Sequence, residues 1–411
     1  MSKTNKLKIF NDPIYGFITI PNTLIYDLIQ HPYFQRLRRI SQMGMSYLVY
    51  PGAHHTRFHH ALGCLHIMQK AVQTLRFKGV EISNNEENAL YIAILLHDIG
   101  HGPFSHAMEH SIVEEVHHEQ LSLLFMEQLN KEFNGQLSLA IQVFKGEYHR
   151  KFMLQLISSQ LDMDRMDYLK RDSFYSGVAE GNINSERLIQ MMNVDNDVLV
   201  IEEKGIYSVE KFLVARRLMY WQAYLHKTSV VGELILTKIL KRAKELVQNG
   251  IQLEASKPLS YFLENKVTLE DFNENVLQKF SYLDDYDVLS AIKAWQFHDD
   301  YVLSNLCRMI INRDLLKIKM LDEKPSKELV KSYKQKFINL TKLSEKEVAY
   351  FVFKGSLKNQ AYNKQSEPIH IYKKDKSIED VVEASDQLHL KALSKQVTKY
   401  YICFPKVILE S

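Results

Sequence analysis

Cysteine is nearly missing from this 411-residue chain: Cys64, Cys307 and Cys403 stand far apart and are odd in number. They offer neither a disulfide framework nor a CxxC metal site, so a reducing cytoplasm is the expected location. Long hydrophobic runs are missing too. No stretch approaches the roughly 20 apolar residues of a membrane-spanning helix, and the opening MSKTNKLKIFNDP lacks the apolar core of a signal peptide. The expectation is a protein neither exported nor embedded in a membrane. There is no excess of one charge, since Lys+Arg 52 against Asp+Glu 49 leaves a formal +3. That balance gives no argument for a nucleic-acid or membrane partner. With 45% hydrophobic, 11% aromatic and 25% charged residues, disordered, collagen-like and disulfide-scaffold classes are excluded. Internal repeats and low-complexity linkers are also absent.

Histidine is what the chain has in local excess. Of 17 histidines, 11 fall between His54 and His118. Lys and Glu solvate a surface more cheaply, so such a density points to metal binding, proton transfer or phosphate contact.

The hydrophobic period is helical over most of the chain. It predicts helices over 24–40, broken at Pro32, and over 59–77, 86–99 and 119–133, with further helices in 151–175, 209–248, 286–313 and 325–336. Gly100, Gly102 and Pro103 punctuate the end of the 86–99 element. The segment Gly16-Phe-Ile-Thr-Ile20 and the alternating residues 396–404 read as strands. The expected fold is mostly α, with a smaller α+β C-terminal region. The expected divisions are an N-terminal segment 1–50, a helical core 51–250 and a C-terminal region 251–411. The charge run Asp322–Lys336 reads as a solvated helix face.

Three clusters carry candidate chemistry. His97-Asp98 ends the apolar run Tyr91-Ile-Ala-Ile-Leu-Leu96, placing two ionisable groups where burial is costly unless they are paired. Neighbours on a helix point about 100° apart, so they grip one ion only in the groove between them, with other helices completing the shell. Arg57-Phe-His-His60 lies one helix earlier, and Asp162-Met-Asp-Arg-Met-Asp-Tyr168 lies further on; each offers another ligand. Two histidines and two carboxylates make a mixed N/O shell that leaves water positions open, which suits hydrolysis. The loop His97-Asp-Ile-Gly-His-Gly-Pro-Phe-Ser-His106, with His117-His118-Glu119, adds more imidazoles than one ion uses. Surplus imidazoles of this kind neutralise phosphate oxygens or protonate a leaving oxygen. Arg57 and Arg165 add fork-shaped cations. Ser105, His106 and His110 are open to a second reading, in which they only cap and solvate the loop.

These residues, in this order, resemble the HD-domain phosphohydrolases, and more closely the deoxynucleoside triphosphate triphosphohydrolases. Bacterial dGTPases and a human enzyme joining a SAM domain to an HD domain belong to that group. The resemblance also takes in Asn11-Asp-Pro-Ile-Tyr-Gly16, Phe34-Gln-Arg-Leu-Arg38, Tyr50-Pro-Gly-Ala53, Asp164-Arg-Met-Asp-Tyr-x-x-Arg-Asp172 and Ala223-Tyr-Leu-His-Lys227. It spans about residues 8–320.

The resemblance implies an HD-domain helical bundle and one divalent ion, of a kind open among Mn, Fe, Mg, Ni and Zn, on His60, His97, Asp98 and Asp164. It implies His101, His106 and His118 around the α-phosphate, one of them as general acid, with Asp98 also counted as catalytic. Arg57, Arg165, Tyr168 and Arg216 would hold the triphosphate, and Gln42, Asp172 and Tyr224 the sugar. A tyrosine packed under C2′ would exclude a ribose hydroxyl. The implied reaction gives a deoxynucleoside and inorganic triphosphate from a deoxynucleoside triphosphate, in a homo-oligomer. This chain departs from the human member at Arg165, where that enzyme has Lys, and at Leu225, where it has Gln. Gln30 stands where the human member has an acidic residue that reads a guanine, although Lys8, Asn11, Gln35 and Arg38 match; activation by a nucleotide therefore stays open. Two other readings remain: an HD nucleotidase or phosphodiesterase, and a non-catalytic nucleotide-binding regulator.

Overall fold

A computed structural model describes residues 8–104, 106–109, 111–113, 116–386 and 393–409. Among these residues it is mostly α-helical, with three small sheets. The 24–40 segment forms Thr23–Gln30 and Pro32–Gln35, then a 3-10 turn over Arg36–Arg39. Pro32 sits at the first position of its helix, where the missing N–H costs nothing. The central helices are Arg57–Phe77, Asn84–Leu96 and His118–Glu132. Ser83 and Glu86 close a capping box at the start of the Asn84 helix.

Three long helical stretches of the sequence reading are each interrupted. The 151–175 stretch is two helices, Lys151–Ile157 and Met163–Ser176, because Asp162 turns back to accept the Arg165 and Ser159 N–H groups. The 209–248 stretch ends as an α-helix at Met219, passes through a π turn at Tyr220–Tyr224, and restarts as Lys227–Gln248. Such π turns are frequent at functional sites, and this one delivers Tyr220 and Tyr224 to a cavity. The 286–313 stretch is Asp285–Trp295 and Tyr301–Ile311, the second capped by Asp300. The charged helix Lys327–Thr341 buries Phe337 alone and presents the rest to solvent or to the edge of the core.

The strand at 16–19 pairs with 9–12 as a hairpin, and Val397–Phe404 lies between strands 317–321 and 353–359. A further sheet was not legible in the sequence. Its hairpin 192–195/198–202 pairs in parallel with 370–372, so residues far apart in the chain share one sheet. No helix among the described residues is long and apolar enough to cross a membrane.

Two buried contacts fix the chain around His97-Asp98. Arg36, sandwiched between the Phe125 and Phe280 rings, donates to the carbonyl of Ile99 at 2.7 Å and of Leu283 at 3.3 Å. Gly100 lies against the backbone of His118 and Ser122, so close that any side chain there would overlap it. Ser122 Oγ donates to the His97 carbonyl at 2.7 Å and accepts the Gly100 N–H at 2.9 Å. Glycine at position 100 is thus what lets the His118 helix dock on the turn after Asp98.

Candidate active site

His60 comes from the Arg57 helix, His97-Asp98 from the end of the Asn84 helix, and Asp164 from the Met163 helix. Their ligand atoms converge. His60 Nε2 lies 3.0 Å from Asp164 Oδ1 and 3.7 Å from Asp98 Oδ2. His97 Nε2 lies 3.4 Å from Asp98 Oδ1 and 3.5 Å from Asp164 Oδ1. His60, His97 and Asp164 converge with the Cys64 thiol, their ligand atoms within 4.8 Å of one another, while Asp98 faces His60 through Oδ2 and His97 through Oδ1 and also groups with His101 and His118.

The tautomers agree with that. His97 Nδ1 faces the Ile94 carbonyl at 2.7 Å, which leaves Nε2 buried and turned to Asp98 and Asp164 without a well-formed hydrogen bond among the described residues. His60 Nδ1 lies 2.8 Å from Asp167 Oδ2. Asp167 is held ionised, its pKa lowered to about 2: burial opposes this, but Arg171 and His60 outweigh it. It therefore accepts the Nδ1 proton and turns Nε2 towards the ion position. The residues present fit a divalent cation.

The electrostatics are those of a site awaiting positive charge. Burial opposes the charge on His60, yet Cys64, Asp164 and Asp167 hold its pKa well above the ordinary value. Burial likewise opposes ionisation of Asp98 and Asp164, but His97 with Arg57 in the first case, and His60 with His97 in the second, keep both well below the usual carboxylate range. Arg57 pairs directly with Asp98. Cys64, absent from every ligand set read from the sequence, has its thiol 3.5 Å and 3.6 Å from the two His60 nitrogens.

A cavity of about 540 Å³ opens beside this cluster. Asp98, Asp164, His101, His118, Arg57 and Arg165 line one end. Gln42, Tyr168, Asp172 and Tyr224 line it as well. His101 Nε2 lies 3.3 Å from Asp98 Oδ1, and its ring stacks on His118 at 3.8 Å. Burial and the Arg57 charge hold His101 well below the ordinary histidine range, so it is neutral at pH 7. Arg165 Nη1 reaches the Tyr168 hydroxyl at 3.5 Å, and burial with Tyr220 pushes that phenol up. Tyr224 donates to Asp172 Oδ2 at 2.7 Å, and the Tyr168 and Tyr224 rings meet edge to face.

Nearly the whole expected set is brought together. Arg216 is not on the cavity wall, though it stands close enough to act on the Tyr168 phenol. His106 opens a four-residue helix, but its side chain lies outside the described residues, as do Ser105 and His110. Several buried polar atoms make no hydrogen bond among the described residues: Gln42 Oε1, His97 Nε2, His101 Nδ1, and Arg216 Nε and Nη1. Buried groups of this kind are ordinarily satisfied by water or by a bound ion.

Three functional neighbours escaped the sequence reading. Asp167 stood in the quoted motif without a role, although its i, i+3 spacing from Asp164 puts both on one helix face. Asp162 proves to be a helix cap, with burial pushing its pKa up to about 6. His55, fully buried, lies 2.7 Å from Asp172 Oδ1 and stacks on Tyr175. Its sequence signal was only membership of the histidine-rich window.

Helical bundle, clustered His and Asp residues that could hold a metal ion, and an adjoining cavity are the features of a phosphohydrolase of the HD type. Residues 57–172 match the HD domain and residues 183–258 the HD associated region. A phosphohydrolase from Bacteroides thetaiotaomicron, known as a crystal structure, is 51% identical with a TM-score of 0.94, over 97% of this chain and 100% of that one. The Bacillus subtilis protein YwfO is 34% identical over 99% of this chain and 94% of its own length. The human deoxynucleoside triphosphate triphosphohydrolase SAMHD1 is 29% identical, over 59% of this chain and 45% of the human protein. The chain belongs to the HD-domain family, as a phosphohydrolase related to SAMHD1.

Proposed function

We propose that this protein hydrolyses deoxynucleoside triphosphates to deoxynucleoside and inorganic triphosphate, using one divalent ion on His60, His97, Asp98 and Asp164. The observation that carries this reading is the continuity of the cavity. Its lining includes Asp98, Asp164 and two arginines together with a tyrosine pair and an Asp172–Tyr224 hydrogen bond of the kind that suits a sugar.

The ion, when bound, would polarise a phosphoryl oxygen and make water a better nucleophile at neutral pH. The chain's own groups do the rest. Arg57 and Arg165 neutralise phosphate oxygens. His101, held by Asp98 through Nε2, takes up a proton on Nδ1 to donate to the phosphate, and His118, stacked on it, is placed to give a proton to the leaving oxygen; His106 is proposed to share that duty. Asp172, fixed by Tyr224 and His55, orients the sugar with Gln42, and the Tyr224 ring leaves little room at C2′. Arg216 is proposed to support the phosphate end through Tyr168. A cytoplasmic homo-oligomer is part of this reading.

The test incubates metal-loaded protein with each of the four dNTPs, with and without a second nucleotide, and separates the products by ion exchange. Deoxynucleoside plus triphosphate supports the proposal, and chelation must abolish it. Release of pyrophosphate or monophosphate would sink it in favour of another HD phosphohydrolase activity. Ligand binding that survives His97→Ala with no turnover in either protein would favour a regulator.

A further inference from the structure

The loop that follows His97-Asp98 turns at Phe104, where φ is +47°. This left-handed conformation is unfavourable for a residue with a bulky side chain. Phe104 is nonetheless buried, and its side chain lines the cavity three residues beyond His101. Something outside the loop must hold it there. The Phe104 N–H donates to Asp285 Oδ1 at 2.9 Å. The other oxygen of the same carboxylate accepts the Ser41 N–H at 2.8 Å. Ser41 precedes Gln42, which lines the cavity too and whose own N–H is fixed on the His55 carbonyl at 3.0 Å.

Asp285 opens the Asp285–Trp295 helix, far outside the matched HD residues. It is buried, and its neighbour Asp284 is paired with Arg39. A buried carboxylate with no cation bonded to it is costly to keep; burial pushes its pKa up to about 6, although the Ser41 side chain and the two backbone N–H groups oppose this. A cost of that kind, at a strained turn, marks a position where geometry matters to the site.

We propose that Asp285 is a positioning residue, whose two carboxylate oxygens clamp the strained Phe104 turn to the Ser41-Gln42 segment and so hold two walls of the cavity in register. The proposal rests on the reading of this cavity as the active site. It deepens that reading by assigning a residue beyond the HD motif to its assembly.

The test is a double-substitution cycle on the full-length, metal-loaded protein. Asp285→Asn keeps the shape of the side chain but turns an N–H donor towards one of the two backbone N–H groups. It is expected to lower kcat by about 10–100-fold, as misplacement of catalytic groups does, with metal content unchanged. Phe104→Gly removes the penalty of the left-handed turn. In the Phe104→Gly background the same Asp285→Asn change is expected to cost less than about threefold, a coupling of the size seen between touching residues. Equal losses in both backgrounds, or wild-type kcat in Asp285→Asn, would overturn the proposal. Should Asp285→Asn fail to fold, the double variant must fold where the single one does not; failure of both overturns it as well. If the wild-type protein hydrolyses no dNTP, the functional reading falls. The clamp is then judged by amide exchange of residues 98–104, which must quicken in Asp285→Asn and be unchanged there if the clamp is wrong.

Discussion

His60 and Asp167 meet at 2.8 Å, imidazole Nδ1 to carboxylate Oδ2, both fully buried. Asp167 in turn takes Arg171 Nε at 2.9 Å and Nη2 at 3.0 Å, and Arg171 Nη1 reaches Asp12 at 2.8 Å. One chain of charges therefore runs from the N-terminal hairpin to the proposed metal ligand. Its physical effect is to fix the orientation of the His60 ring before any ion arrives.

Asp167→Asn removes the carboxylate from this chain while preserving its size. The expected result is a loss of about 10–100-fold in affinity for Mn²⁺, the usual effect of removing a ligand's supporting partner, measured by calorimetric titration of metal-free protein. Unchanged affinity would show that His60 needs no such support.

Gly63 lies on the same helix as His60, and a Cβ built on it would overlap both Asp167 and Arg171. Neither neighbour can retreat, because each is buried and bonded to the other. Gly63→Ala is expected to destabilise the protein by about 1–3 kcal/mol, as overpacking does, seen as a lowered Tm in a thermal melt. Metal affinity should fall with it. A Tm at or above the wild-type value would contradict the packing described.

Tyr224 stands against Tyr168 and is tied to Asp172. If its ring closes the space beside C2′, Tyr224→Ala must raise kcat/KM for ribonucleoside triphosphates relative to their deoxy counterparts. The expected change is about tenfold or more, within what pocket shape discriminates for small groups. Tyr224→Phe keeps the ring, so it should keep the discrimination while losing the bond to Asp172. A ratio unmoved by the alanine change would remove Tyr224 from that role.

Glu86 couples stability to pH. Burial opposes its ionisation, but the Ser83 N–H and hydroxyl, Arg150 and Tyr148 hold it at about 2, against an ordinary value of 4.5. A depressed carboxyl stabilises the folded state fully above pH 4.5, and that contribution is lost as pH falls towards 2. Glu86→Gln should therefore cost about 1–2 kcal/mol at pH 7, the scale of a lost cap and charged hydrogen bond. The deficit should shrink steadily below pH 4.5 in urea titrations; a deficit independent of pH would refute the assignment.

What the sequence determined by itself was local. Apolar residues at three and four spacing specify helices because each helix must bury one face, and the helices over 57–77, 84–96 and 118–132 were legible for that reason. His97-Asp98 stood out because five apolar residues lead into two ionisable ones, a placement that only pairing or a metal makes tolerable. Interruptions such as the π turn at Tyr220–Tyr224 were not legible, since the apolar pattern runs through them unchanged. The sequence also could not rank Asp162, Asp164 and Asp167, which are alike in type and adjacent in position. The tertiary structure separates them by partner: backbone N–H groups for Asp162, His60 and His97 for Asp164, Arg171 and the far side of His60 for Asp167. Asp285 and the parallel pairing of 198–202 with 370–372 lay beyond reach for the same reason. Periodicity reports that a face is buried, whereas the identity of what it meets depends on contacts between residues far apart in the chain, and those exist only once it has folded.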